Sequence, residues 1–239
     1  MGVKYQVNEH FFDIWSPEMA YVLGFLYADG SLEDASYLRG KYVRVTSTDL
    51  DRIKVIKRLL GSQHTIAPYD KGGNYKTRYL LRIGSHVLYA QLVNLGVTPR
   101  KSLTMRFPHV PKKHLGAFIR GYFDGDGCVY LEIRSSGRPK RLLTVFTSGS
   151  RRFLQELHAL LETHANIRGN GLYKHGSTEG IYQLRYSSED SVRLCQLMYR
   201  PMPSKGLFLK RKYAIFTRYF KLHASMPRSR LKIGHVVKG

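Results

Sequence analysis

A duplication dominates this sequence. Ala20-Tyr-Val-Leu-Gly-Phe-Leu-Tyr-Ala-Asp-Gly30 aligns without a gap on Ala117-Phe-Ile-Arg-Gly-Tyr-Phe-Asp-Gly-Asp-Gly127, 97 residues downstream. Three further matches follow in the same order. Val45-Thr46-Ser47 matches Phe146-Thr147-Ser148, Tyr79 to Ser85 matches Tyr182 to Ser188, and Thr98-Pro-Arg-Lys-Ser-Leu103 matches Met202-Pro-Ser-Lys-Gly-Leu207. The offset drifts from 97 to 104, as small loop insertions would cause. Four ordered matches mark one unit used twice, so a fold is admissible only if both halves can adopt it. A chain of 239 residues has room for two such units around a substantial core.

Each copy reads α-β-β-α-β-β-α. Ser16-Pro17-Glu18 supplies an N-cap, a proline at the first helical position and an acid in the first turn. Pro111 is expected to open the second motif helix in the same way, and Gly30 and Gly127 to terminate the two helices. Strand-like alternation over Lys41–Ser47 and Arg141–Thr147 precedes helical periodicity near Asp51–Leu60 and Arg152–Glu162. A second strand pair, with glycine-rich turns at Lys71–Asn74 and His175–Gly176, leads to helices near His86–Leu95 and Glu189–Tyr199. The expected organisation is a first repeat over 1–98, a linker over 99–111, a second repeat over 112–222 and a loosely ordered basic tail over 223–239.

The motif helices carry a stripe of small residues. Ala20, Gly24 and Ala28 recur at i, i+4 and i+8, as do Ala117, Gly121 and Gly125. A glycine inside a helix costs about 1 kcal/mol against alanine, so its use in both copies points to close backbone approach, with Ala20, Gly24, Ala117 and Gly121 at a helix interface. Asp29 and Asp126 then fall at the same end of two adjacent helices. Each meets the negative end of its own helix dipole and the charge of the other. Divalent cations shared between them would offset both costs, and oxygen ligands suit Mg²⁺.

Charge narrows the partners. The formal net charge is +22, which attracts polyanions. The longest apolar run, Met19–Ala28, is about half of a membrane span. The N-terminus has no signal-peptide core, so an intracellular location is expected. Cys128 and Cys195 have no paired-ligand spacing, which argues against structural zinc and a disulfide framework.

With these residues in place the chain resembles the LAGLIDADG homing endonuclease family. Val22–Gly30 and Ile119–Gly127 fit its nine-residue motif, and the repeat carries the likeness across nearly the whole chain. Tyr27 departs from the motif's earlier aspartate, which Asp124 supplies in the second copy. The resemblance implies an α+β fold, a monomeric pseudo-dimer of two αββαββα repeats whose sheets form a saddle on double-stranded DNA. It implies Mg²⁺ at Asp29 and Asp126 beside the backbone of Ala28 and Gly125, with Ca²⁺ binding but not supporting cleavage, and short 3′ overhangs across a site of roughly 20 bp. Lys101 and Lys205, matched in the duplicated Pro-x-Lys-x-Leu segment, are the candidate active-site cations, and Ser47 and Ser148 align with a position that orients water.

Strand alternation proposes the DNA-contacting side chains: Lys76, Arg78 and Arg82 in the first copy, Gln183 and Arg185 in the second, and Tyr130, Glu132 and Arg134 after the second motif, with Lys41 and Arg44 added. Arg, Gln and Glu would read base edges while Lys and Arg hold phosphates. An intron-RNA maturase on the same scaffold is the competing reading. A non-catalytic regulator would not need both aspartates, and an intein would begin and end differently.

Overall fold

The computed structural model describes residues 5–35, 40–69, 76–99, 101–169, 171–175, 180–204 and 206–224. The first repeat runs α1 (Pro17–Asp29), β1 (Gly30–Ala35), β2 (Gly40–Ser47), α2 (Leu50–Leu59), β3 (Ile66–Tyr69), β4 (Arg78–Gly84) and α3 (His86–Asn94). The second runs α4 (Leu115–Asp126), β5 (Gly127–Ile133), β6 (Pro139–Ser148), α5 (Arg151–Ala165), β7 (Leu172–Lys174), β8 (Tyr182–Ser187) and α6 (Glu189–Tyr199). Each repeat builds a four-stranded antiparallel sheet, in the orders β1-β2-β4-β3 and β5-β6-β8-β7. The fold is the α+β class expected. One element exceeds the doubled pattern: α7 (Lys210–Ala224), which packs on β5 and β6.

Helix starts follow the sequence closely. The Ser16 hydroxyl accepts from Met19 N at 3.0 Å, and Asp49, Ser85 and Ser150 cap α2, α3 and α5 in the same manner. Pro111 is a correction: it precedes a short 3₁₀ turn over Lys112–His114, and α4 begins only at Leu115. Gly30 and Gly127 do end their helices, but in extended conformation (φ −94° and −91°) rather than left-handed. Their requirement is space. A Cβ on Gly30 would lie 2.6 Å from the Leu26 carbonyl oxygen, and one on Gly127 2.6 Å from that of Phe123.

The core explains why α1 shows no polar face. Every residue from Met19 to Tyr27 is buried. A helix apolar all round belongs between two packed layers, and α1 lies against α4 on one side and its own sheet on the other. One continuous core results, joining Tyr21, Phe25, Val43 and Leu81 of the first repeat to Phe118, Phe123, Phe146 and Leu184 of the second. The glycine-rich turns at 71–74 and 176, Lys205 and the tail from residue 225 lie outside the described residues.

Candidate active site and nucleic-acid face

The two motif helices meet backbone to backbone. A Cβ on Gly24 would fall 2.0 Å from the Phe118 oxygen, and one on Gly121 2.0 Å from the Tyr21 oxygen. Ala20 and Ala117 continue the seam. At its end a Cβ on Gly125 would lie 2.3 Å from the Ala28 Cβ and 3.5 Å from Asp29 Oδ2. Asp29 and Asp126 are thus the last residues of two abutting helices.

Their surroundings raise both carboxyls, and nearby cations only partly offset the rise. Burial pushes the Asp29 carboxyl up to about 7, and the neighbouring Asp126 charge adds to the shift. Lys212, Lys101 and Arg78 pull it back. Asp126, more open to solvent, is raised by burial too and opposed by Lys101 and Lys212.

Both lysines are buried beneath these carboxylates. Lys101 Nζ donates to the Tyr27 carbonyl at 2.9 Å, and burial lowers its pKa against the pull of Asp126 and Asp29. Lys212, from α7, donates to the carbonyls of Phe123, Asp124 (2.9 Å) and Gly127 (2.6 Å), and burial brings it down to about 8. Tyr27 and Asp124 hold the same place in the two motifs, so Lys101 and Lys212 are pseudo-symmetric mates. Lys212 is the residue that sequence comparison missed, because α7 has no counterpart in the first repeat.

The two serines make matching local bonds. Ser47 Oγ accepts from Asp49 N at 3.2 Å and Ser148 Oγ from Ser150 N at 3.1 Å, so each closes the turn from strand to helix. Ser148 is buried. By strand parity the open sheet face near the aspartates carries Thr46 and Thr147 instead, one residue earlier in each strand.

Register also sorts the proposed DNA contacts. Ser31, Arg44 and Arg82 form one row across β1, β2 and β4, on the face opposite the buried Leu32, Val43, Val45, Leu81 and Ile83. Arg78 shares that face, and Lys76 is exposed just before β4. In the second sheet Tyr130, Glu132, Gln183 and Arg185 lie on the corresponding face, opposite Val129, Leu142, Leu184 and Tyr186. Arg134 lies beyond the end of β5, where its N–H turns back to the Arg138 carbonyl. Lys41 is a correction. It shares the parity of Val43 and Val45, pairs with Asp34 and covers the Tyr89 ring of α3 at 4.9 Å, so it faces the helices.

The open-face side chains are held in place by one another. Arg82 donates to both oxygens of Glu33 at 2.9 and 3.2 Å and stacks over Tyr42 at 3.3 Å. Arg185 donates twice to Gln183 Oε1 and lies over the Tyr173 ring. Exposed pairs of this kind are worth about 0–1 kcal/mol, so they order the donors without locking them.

Residues 113–198 match the model of the LAGLIDADG-like domain. The second repeat is a LAGLIDADG-like domain. Solved structures extend the LAGLIDADG fold across both repeats. The homing endonuclease I-DmoI, in its mesophilic variants, superposes with a TM-score of 0.56 at 21% identity, covering 84% of this chain and all of its own. I-DmoI in complex with DNA and Ca gives 0.54 at 20% identity, covering 83% and 96%. The LAGLIDADG meganuclease I-AabMI bound to uncleaved DNA gives 0.58 at 12% identity, covering 88% and 92%. No curated protein matches the sequence. Among the described residues no helix is long and apolar enough to cross a membrane.

Proposed function

We propose that the protein is a site-specific DNA endonuclease that cuts both strands of a long target by divalent-metal-dependent phosphodiester hydrolysis. One observation carries the reading: two carboxylates at abutting helix ends, each raised by burial, each attended by a buried lysine. Like charges are costly in that position, and a ligand cation would repay them. Among the described residues no three His, Cys, Asp or Glu side chains gather to bind a metal. The ion would therefore take Asp29, Asp126, the Ala28 and Gly125 carbonyls, water and the phosphate itself, a hard-oxygen set that fits Mg²⁺. When bound, such an ion supplies a nucleophilic water and charge stabilisation at phosphorus.

The chain's own residues do the rest. Lys101 and Lys212, fixed by backbone carbonyls, set a positive field under both aspartates and would stabilise charge that grows on the phosphate in the transition state. Replacing either lysine by methionine, which keeps the buried stem, should slow cleavage about 10²-fold. Single-turnover rates at fixed Mg²⁺ check this. A loss under about threefold for both variants, against that expected factor, would remove the lysines from the chemistry.

The open faces of the two sheets would bind DNA, with Arg44, Arg78, Arg82, Gln183, Arg185, Tyr130 and Glu132 as the reading side chains. The net charge of +22 favours that partner. The relatives' solved complexes with DNA and with Ca or Mn support both partner and metal, whereas the maturase reading draws no support from them.

The test is incubation with a randomised-site DNA library in Mg²⁺ and in Ca²⁺, with the ends sequenced. Discrete Mg²⁺-dependent breaks with 3′ overhangs, absent in Ca²⁺, are expected. Binding to the selected site should fall by about 10³–10⁵ between 50 and 200 mM salt if 6–10 phosphates are neutralised. Sequence-enriched binding without breaks in Mg²⁺ would overturn the enzyme and leave a DNA-binding protein.

A further inference from the structure

The motif's first acidic position is used differently in the two repeats. In the first it is Tyr27, whose hydroxyl donates to the Leu95 carbonyl at 2.7 Å. In the second it is Asp124, a carboxylate 3% exposed at the centre of the helix pair. Burying a charge there calls for donors, and two reach it, both on Oδ2, while Oδ1 is buried without a partner. Tyr21, on the other motif helix, donates to Asp124 Oδ2 at 2.8 Å. Leu209 N, at the residue just before α7, donates to the same oxygen at 2.9 Å. Arg52 of α2 reaches Tyr21 Oη at 3.3 Å and also bonds the Gly206 carbonyl. Arg120, one helical turn before Asp124, donates to Leu207 O at 2.8 Å and to Met198 O.

These bonds converge on a single segment. Residues 206, 207 and 209 are each gripped by a charged side chain from the helix layer: Arg52, Arg120 and Asp124. That segment feeds directly into α7, and one turn along it Lys212 delivers its ammonium to the carbonyls of Phe123, Asp124 and Gly127. Asp124 is therefore attached to Lys212 from both sides. Its carboxylate holds the start of the helix that carries the lysine, and its own carbonyl receives the lysine. At the equivalent carbonyl Lys101 meets Tyr27, whose neutral hydroxyl donates to Leu95 at the end of α3 where Asp124 uses a carboxylate.

We propose that Asp124 is a positioning residue that sets Lys212 beneath the paired aspartates. This rests on the endonuclease reading for its activity readout, but the placement of Lys212 is independent of it. Asp124 is almost fully buried and bonds Tyr21 and Leu209, so its effect passes through α7 to the ammonium of Lys212.

The experiment compares Asp124→Asn, Lys212→Met and the double variant by strand-resolved single-turnover cleavage of an end-labelled target. Lysine labelling with an amine-reactive ester, read by mass spectrometry, is run on the same free proteins. Supporting residues of this kind commonly cost about 10–100-fold. Asp124→Asn should slow cleavage by that factor and preserve DNA affinity in Ca²⁺. On the Lys212→Met background it should cost nothing more, because the two act as one unit. Labelling at Lys212 should rise several-fold in Asp124→Asn while labelling at Lys101 stays constant. If Asp124→Asn is poorly folded, Tyr21→Phe removes one donor to the same oxygen with little change in packing, and should slow cleavage more mildly. Additive losses with Lys212→Met would overturn the proposal, as would unchanged labelling at Lys212. A parent protein that cuts neither strand would sink the endonuclease reading instead, and the labelling result would still decide whether Asp124 places Lys212.

Discussion

Gly121→Val should yield no folded protein, and Gly121→Ala a chain that melts far below its parent. The first atom of any side chain there would sit 2.0 Å from the Tyr21 oxygen and 2.9 Å from Phe25 N. Both are backbone atoms of the facing helix, so neither can rotate away. Overpacking of an ordinary core costs about 1–3 kcal/mol because side chains yield. Here whole helices must separate, and the aromatic core joining the repeats opens with them. Against a total stability of about 5–15 kcal/mol, alanine is expected to be severe and valine fatal. Thermal melts followed by circular dichroism check this, with about 2–4 °C lost per kcal/mol at this size. An alanine variant melting within about 3 °C of its parent would contradict the close approach.

The second large effect runs in opposite directions for activity and stability. Asp29→Asn should reduce cleavage by at least about 10³-fold, since it removes a charged donor that the proposed ion would need. The same change should stabilise the metal-free protein. The folded-state pKa of Asp29, about 7, lies above its ordinary 3.8, so the fold prefers the protonated form. Metal-free stability is then fullest below about pH 4 and declines as pH rises through the interval up to 7. The amide in the variant cannot ionise and should flatten that decline. Divalent ions should raise the melting temperature of the parent and much less that of the variant. Melts from about pH 4 to about pH 8, with EDTA and with Ca²⁺, separate the outcomes. A metal-free variant less stable than its parent at the alkaline end of that range would show that Asp29 serves the fold rather than the ion.

Much of this architecture was legible because the duplication let each copy check the other. The glycine stripes, the terminal aspartates and the αββαββα order were readable at short range, since each rests on local spacing. Lys212 was not. Its pairing with the motif helix spans 88 residues to Asp124, and its helix has no mate in the first repeat to align with. The matched Pro-x-Lys-x-Leu segment drew attention to Lys205 instead. Lys41 was misplaced for a simpler reason: it stands three residues from Arg44, and in a continuous strand odd separations fall on opposite faces. Ser47 and Ser148 show the limit of alignment without geometry. In this chain each hydroxyl accepts a backbone N–H that closes a turn, a bond that alignment alone does not show.

The late position of Lys212 bears on the protein's biogenesis. Chains emerge from their N-terminus, and structure forms as segments become available. Asp29 and Lys101 are both made early, yet α1 must wait for α4 before its apolar surface is covered, and the paired aspartates wait longer still for the lysine of α7. Until α7 docks, a growing chain carries both motif aspartates with Lys101 alone beneath them. The pair of lysines is completed in one step, when a single helix from outside the doubled pattern takes its place.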